Sequence, residues 1–362
     1  MLGADVLTTD GAPKKSAVFV RDGKIAQVGG GAPMGRRDFK VVNAEGCLLS
    51  PGFIDLQRYG DPAKASAGDI KYGTTAFLSA IPCATSGEML KRIRSAVKKI
   101  SEKKSGAKML GINIEGPYLN KEKSGAQNRG AIRKPYMPEL KAMTTESRGA
   151  LRVMTIAPEV DGAPEVIKFL KSKNIIPSIG HTMAAFEETE GAIDIGASCA
   201  THVFNAMGAF DYRRPGAIEA VLLDPRISAT VILDGKHVSP PAFRLLLKCK
   251  GKEKVILITD SLKREPAFNA RWDGSAYRLK DGTLAGSGLT MIKAVENAVN
   301  FGGISLGEAV SMAALNPARL LGLNNKGEIK KGKDADMVIF NRRYEVLSTI
   351  VEGRIVYEKC AA

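Results

Sequence analysis

The chain holds three histidines, His181, His202 and His237, and each lies at or just past the end of a short apolar run: IIPSIGH, SCATHVF and the run that leads into LDGKHV. Two carboxylates share that placement, Glu115 in GINIEG and Asp260 in VILITD. Two neutral imidazoles and one carboxylate, from His181, His202 and Glu115, suit a borderline divalent cation such as zinc and leave a coordination position open for water. A cation there brings the pKa of that water towards neutrality and makes it a usable nucleophile. Asp260 is then the natural proton shuttle, taking a proton from the water and returning it to a leaving amine. A fourth ligand or a helix N-cap are the other roles open to it. One histidine alone is more often a satisfied structural side chain; the argument rests on the whole set falling on strand ends.

Those strand ends are what must position the groups. PGFIDLQ, GTTAFLSAI, KMLGINIEG, LRVMTIAPE, NIIPSIGH, ASCATHVF, ISATVILDG and KVILITDS are continuously apolar rather than alternating, as strands buried on both faces of a parallel sheet are. Helical segments separate them. The alternation predicts an α/β fold, a (β/α)₈ TIM-type barrel, with an open doubly wound sheet as the other architecture of this pattern. No G-x-G-x-x-G follows the first strand, which weakens a dinucleotide-binding version. In a parallel barrel the carboxyl ends of all strands share one face, so residues far apart in sequence converge on one mouth.

The two ends of the chain read differently. AVFVRDGKIAQVG has two apolar runs around Asp22-Gly23, and ADMVIFNRRYEVLSTIVEGRIVYEK has strand-like runs around Glu352-Gly353. A small β-sandwich domain built from both termini, 1–50 plus 328–362, is expected beside a catalytic barrel over 51–327, with separate end domains as the other arrangement that gives this pattern.

The 362 residues are 44% hydrophobic and 25% charged, enough to bury a full core of one large domain, or of one large and one small. No run approaches the roughly 18 apolar residues of a membrane span, and no basic head precedes an apolar run at the N-terminus. The net charge of +15 raises a nucleic-acid partner, but the basic residues spread over segments such as KRIRSAVKKISEKK, KCKGKEK and NKGEIKKGKD, which read as solvated helix faces and loops. With 6% aromatics that do not interleave with the basic residues, a stacking platform for single strands is unsupported. Cys47, Cys83, Cys199, Cys249 and Cys360 are odd in number and never form C-x-x-C, so they read as reduced, mostly buried thiols of a cytoplasmic protein.

PGFIDLQRYG, IEGPYLNKEKSGAQN, GHT, THVFNAM, LDGKHV, TDS, LAGSGLTM, NPARLLGL and GEIKKGKDADMVIF follow one another in the order and approximate spacing of N-acetylglucosamine-6-phosphate deacetylases, which the chain resembles over nearly its whole length. THVFNAM with IEGPYLN is specific to that branch. PGFID and KGKDADMVIF are shared by amidohydrolases generally. The resemblance implies one divalent metal ion, zinc with iron or another divalent ion as alternatives, on Glu115, His181 and His202, with Asp260 as general base and acid. It also implies substrate contacts from Asn205, Ala206, Arg213, His237, Leu284, Ala285 and Gly286, an amino-sugar phosphate as substrate, and a homodimer. A guanidinium is a fitting phosphate partner, although Arg214 competes with Arg213 for that role and an exposed arginine is the plainer reading of either. His237 could equally cap its loop. Other readings are a deacylase of a different N-acyl amino sugar or amide, and a catalytically weak sugar-phosphate-binding paralogue. Retention of all four metal and base residues argues against the last.

Four departures from the family pattern stand out. Gln57-Arg58-Tyr59 replaces the H-x-H that binds a second metal in many amidohydrolases, which argues for a single ion; Arg58 and Tyr59 read as a barrel-mouth salt bridge and a packing residue. Gln127 stands where the family usually has a histidine near the substrate amide; it can donate to a developing oxyanion but cannot be charged. Asn113 also takes a common histidine position. The loop after Asp260, SLKREPAFNARW, is charged and lacks the small residues often found there.

Overall fold

In the computed structural model, which describes residues 1–7, 13–30, 40–102, 105–263 and 268–359, the eight apolar runs form one parallel sheet. Its strands are β1 (Phe53–Arg58), β2 (Thr74–Pro82), β3 (Lys108–Glu115), β4 (Leu151–Ile156), β5 (Ile176–Ile179), β6 (Cys199–Ala200), β7 (Ser228–Ile232) and β8 (Val255–Ile258), neighbouring one another in chain order. The ring meets itself just past β8, where the Asp260 N–H donates to the Gln57 carbonyl at 3.0 Å and Arg58 bridges Ser261 in parallel register. Arg58, only 4% exposed, latches this seam: its guanidinium donates to the carbonyls of Tyr59, Ser261 and Lys263 and pairs with Asp69 at 2.7 Å. The barrel and salt-bridge readings of the sequence both hold.

Helices cover the outside, burying one stripe each. In Ser86–Ser101 the buried Met89, Ile93 and Ala96 recur at helical spacing, while Lys91, Arg92, Arg94 and Lys98 face solvent. KRIRSAVKKIS is therefore the solvated face that its charge pattern predicts. Lys326 in NKGEIKKGKD departs from that expectation: it is buried, with its ammonium 2.8 Å from Asp334 and also paired with Asp336. A buried lysine needs such partners, because desolvation of an unpaired ammonium is costly. Lys250 of KCKGKEK is likewise buried and donates to the Asp224 carbonyl.

Both chain ends enter one six-stranded sheet. Its order is Arg354–Glu358, Val346–Val351, Met337–Phe340, Leu48–Pro51, Ala4–Val6, Lys14–Ser16, and a hairpin of Val18–Arg21 and Lys24–Val28 covers it. Val18 and Ile25 from the hairpin pack with Leu49, Met337, Ile339 and Ile350, an apolar cluster separate from the barrel core. Asp22 and Gly23 turn the first hairpin with φ of 50° and 76°, and Glu352 and Gly353 the last with 48° and 75°. Positive φ at both central residues matches strand twist in two-residue loops, which is why Asp-Gly marks such turns. Cys83 and Cys199 are buried, but Cys47 is half-buried and Cys249 exposed at the end of an amphipathic helix, so the expectation of mostly buried thiols holds for two of the four described; Cys360 lies outside the described residues. Among the described residues no helix is long and apolar enough to cross a membrane.

Candidate metal centre and active site

Glu115, the last residue of β3, His181, two past the end of β5, and His202, two past β6, meet at the barrel mouth. All are buried, and one potential ligand atom from each lies within 4.8 Å of the others. Both Nε2 atoms face the same carboxylate oxygen, Glu115 Oε1, at 2.7 Å from His181 and 2.9 Å from His202. His181 Nδ1 lies 2.7 Å from the Lys123 carbonyl, which can only accept, so Nδ1 carries a proton, and in a neutral ring Nε2 presents a lone pair to a carboxylate. Lone pair against lone pair is repulsive unless a proton or a cation lies between, and a borderline divalent ion fits this donor set. Burial opposes the charge on Glu115, but with protons in that place the hydrogen bonds from the two histidines override it and hold the carboxyl well below its usual range.

The backbone bears a cost for this convergence. His181, His202, Ala206 and Asp260 have φ of 51°, 29°, 51° and 50°, and Phe204 has 78°. Such conformations persist only where neighbours impose them. The His202 N–H donates to Thr230 Oγ1 at 2.7 Å and the Val203 N–H to the Thr230 carbonyl at 2.9 Å; the His181 carbonyl accepts from Asn120 at 2.9 Å.

Asp260 stands beside this trio. The Gln57 carboxamide donates from one nitrogen to both Asp260 Oδ1, at 2.9 Å, and Glu115 Oε2, at 3.0 Å. Burial first, and then the Glu115 charge, push the Asp260 carboxyl up to about 7. One layer below, Asp55 accepts from the Thr259 hydroxyl at 2.5 Å and from the Thr259 and Gln57 N–H groups at 3.2 Å, which ties the residue before Asp260 to β1. Asn113 takes no part in the mouth: it donates to the Leu56 carbonyl at 2.9 Å inside the barrel.

A cavity of about 200 Å³ opens over these groups, lined by Glu115, His181, His202 and Asp260 together with Gln127, Asn205, Ala206, His237, Leu284, Ala285 and Gly286. Asn205 donates to the His202 carbonyl at 3.2 Å. Gly286 is required as glycine: its φ is +123°, and a Cβ there would meet the Asp260 carbonyl oxygen at 2.8 Å. That close approach lets the Ser287 N–H bond Asp260 O at 3.0 Å and docks the LAG segment beside Asp260. His237 Nδ1 lies 2.7 Å from Asp234 Oδ2, and Asp234 also accepts from the His237 N–H at 2.8 Å. Asp234 was missed from sequence, although its place three residues before a histidine in LDGKHV is the signal that finds it.

Arg213 is the sequence-predicted residue that the structure leaves outside. It is exposed and stacks on Tyr212 at 5.1 Å, away from the cavity-lining set. The reason is local: the Arg213 and Arg214 N–H groups both bond Asp211 Oδ1, at 2.9 Å and 3.2 Å, a turn that keeps both arginines on the loop surface. Gln127 is in the cavity wall, but its carboxamide is already engaged: its oxygen accepts from the Cys83 N–H at 2.8 Å and its nitrogen donates to the Tyr59 hydroxyl at 3.2 Å. In the charged loop after Asp260, 264–267 lie outside the described residues; Phe268 from it packs edge-on against Tyr59 at 5.2 Å.

Residues of metal-binding type on the strand ends of a parallel barrel, with an aspartate past the eighth strand, fit an amidohydrolase mouth, and the chain belongs to the amidohydrolase family, whose model matches residues 48–356. It is 33% identical to N-acetylglucosamine-6-phosphate deacetylase of Lysinibacillus sphaericus, with 97% of this chain and 95% of the relative covered. It is 31% identical to N-acetylgalactosamine-6-phosphate deacetylase of Escherichia coli O157:H7, with 97% of each covered. A mutant of the Mycobacterium smegmatis N-acetyl-D-glucosamine-6-phosphate deacetylase, solved with N-acetyl-D-glucosamine-6-phosphate, superposes with a TM-score of 0.91 at 29% identity, covering 98% of both chains. The resemblance read from the motifs is thereby borne out.

Proposed function

We propose that this chain hydrolyses the N-acetyl group of N-acetylglucosamine-6-phosphate, giving glucosamine-6-phosphate and acetate. The observation that carries the reading is the meeting of Glu115, His181 and His202 with Asp260 in one small cavity. Glu115, His181 and His202 would hold the divalent ion, which when bound supplies Lewis acidity and eases ionisation of water at neutral pH. Asp260 takes the proton from the attacking water and delivers it to the departing nitrogen, and Gln57 keeps its carboxylate turned towards the reacting centre. His237, oriented by Asp234, faces the substrate with Asn205, Ala206 and the 284–286 segment. Arg213 reaches the phosphate only if its exposed loop moves inward.

Zinc, or else iron, is the ion we propose, on the chemistry of the donor set. A homodimer in the cytoplasm is the setting that the family resemblance supports. The division into a catalytic barrel, 51–327, and a small domain from 1–50 with 328–362 is supported by the separate terminal sheet with its own cluster, although Leu48, Val338 and Phe340 from that sheet pack into the barrel core. A second reading, the same chemistry on the galactosamine isomer, is favoured by the relative from Escherichia coli.

The test is acetate release by zinc-loaded protein from N-acetylglucosamine-6-phosphate, from its galactosamine isomer and from unphosphorylated N-acetylglucosamine. Preference for the first supports the proposal, and preference for the second supports the isomer reading. Release from none of them, with metal bound, overturns both. Arg213→Ala should then depress turnover of the phosphorylated sugar alone.

A further inference from the structure

The tyrosine that replaces the second histidine of H-x-H is better placed than a packing residue needs to be. Tyr59 is 2% exposed, follows β1 directly, and lines the cavity that holds Glu115, His181, His202 and Asp260. Its hydroxyl oxygen accepts one hydrogen bond, from Gln127 Nε2 at 3.2 Å. The orientation of that carboxamide is fixed by its other end, since only its oxygen can accept the Cys83 N–H at 2.8 Å. Gln127 can therefore only donate to Tyr59, and the tyrosine's own hydrogen is left over. No hydrogen bond from that O–H is present among the described residues, although the side chain is buried at the edge of a polar cavity. The ring cannot turn away easily, because Phe268 packs edge-on against it at 5.2 Å.

A phenolic O–H held by a donor to its oxygen, with its hydrogen free, is a preorganised hydrogen-bond donor, and such donors act where charge develops in the transition state. We propose that the Tyr59 hydroxyl is a further catalytic group of this site, donating to the amide oxygen of the substrate as negative charge builds on it, with Gln127 and Cys83 as its positioning residues. No proton is transferred: the hydrogen stays on Tyr59 throughout, and the proton traffic remains with Asp260. Gln127, read from sequence as a candidate donor to the oxyanion, acts instead one step removed. The inference rests on the amide-hydrolase reading of the site.

The experiment is Tyr59→Phe in the zinc-loaded full chain, which keeps the ring and removes only the hydroxyl. Acetate release from N-acetylglucosamine-6-phosphate should fall in kcat by about 10²–10³, the usual effect of losing one oxyanion donor. KM, zinc content and thermal midpoint should stay close to wild type. Binding of a tetrahedral phosphonamidate analogue of the acetamide should weaken by a similar factor, while binding of glucosamine-6-phosphate, which lacks the reacting oxygen, should not change. A Tyr59→Phe variant within twofold of wild type in kcat, or one that binds product and analogue with equal loss, overturns the assignment and returns Tyr59 to packing. No acetate release from the wild type itself would sink the hydrolase reading, and this inference with it.

Discussion

The barrel mouth and the terminal β-sheet both send non-glycine residues into the left-handed backbone region, and they do so for opposite reasons. In the sheet, Asp22 and Glu352 reach φ of 50° and 48° because a two-residue hairpin demands it, and each is followed by glycine. There the backbone chooses the residue. At the mouth, His181, His202 and Asp260 adopt the same region at 51°, 29° and 50° with no glycine following them. There the chemistry chooses the residue, and the surrounding hydrogen bonds must hold a conformation that costs on the order of 1–3 kcal/mol per position. One region is shaped for stability; the other spends some of it to aim side chains.

If that contrast is right, mutations at the mouth change rates and those in the sheet change stability. The largest effect expected is for Asp260→Asn: kcat falls by about 10²–10⁴, the range of a lost general acid–base group, while the folded state is not weakened. Burial holds the Asp260 carboxyl up at about 7, against 3.8 for the unperturbed group. Its contribution to stability is therefore complete below about pH 4 and lost as pH rises towards 7. Urea midpoints of the metal-free protein across that interval should drop more for wild type than for Asp260→Asn. Equal slopes, or a variant less stable than wild type at pH 7, would break the contrast. In the loaded enzyme the nearby cation lowers this pKa, so the acid limb of kcat/KM falls at or below about pH 7.

Next in size is Lys326→Met, which leaves Asp336 without its cation while Asp334 keeps only Lys24. It should cost about 3–5 kcal/mol, the scale for removing one partner of a buried pair, and leave kcat within twofold. Denaturation curves and turnover on the same preparation decide it. The smallest effect belongs to Glu352→Gly, where relief of positive φ offsets loss of an exposed pair with Lys108. The net change should stay within about 1 kcal/mol, and any change in turnover would count against the division.

How much of this was legible beforehand follows the range of the interactions involved. The eight strands could be read because strands covered on both faces are apolar throughout, and the hairpins because Asp-Gly and Glu-Gly mark their turns. The strand-end placement of Glu115, His181, His202 and Asp260 followed from parallel topology alone. What escaped were contacts set by barrel closure between distant positions: Gln57 with Glu115 and Asp260, and Gln127 with Cys83 and Tyr59. Nothing local in Gln57 or Tyr59 announces these bonds. For Arg213 the residue type suited phosphate, but its place on the exposed loop, set by a local turn on Asp211, was not legible. Lys326 failed because its partners are eight and ten residues away across a bend, so a charged run that looked solvated folds onto itself.

Gln57 has one more consequence. A single carboxamide joins the proposed anionic ligand of the ion to the proposed carrier of the proton, so Glu115 and Asp260 face each other across one nitrogen. Ion and proton therefore compete for the same negative field, and thermodynamic reciprocity requires that each weaken the other's binding by the same factor. Loading this protein with its cation should expel part of a proton into solution, and acidification should loosen the cation in return, so that the pH of the compartment also acts as a control on metal occupancy.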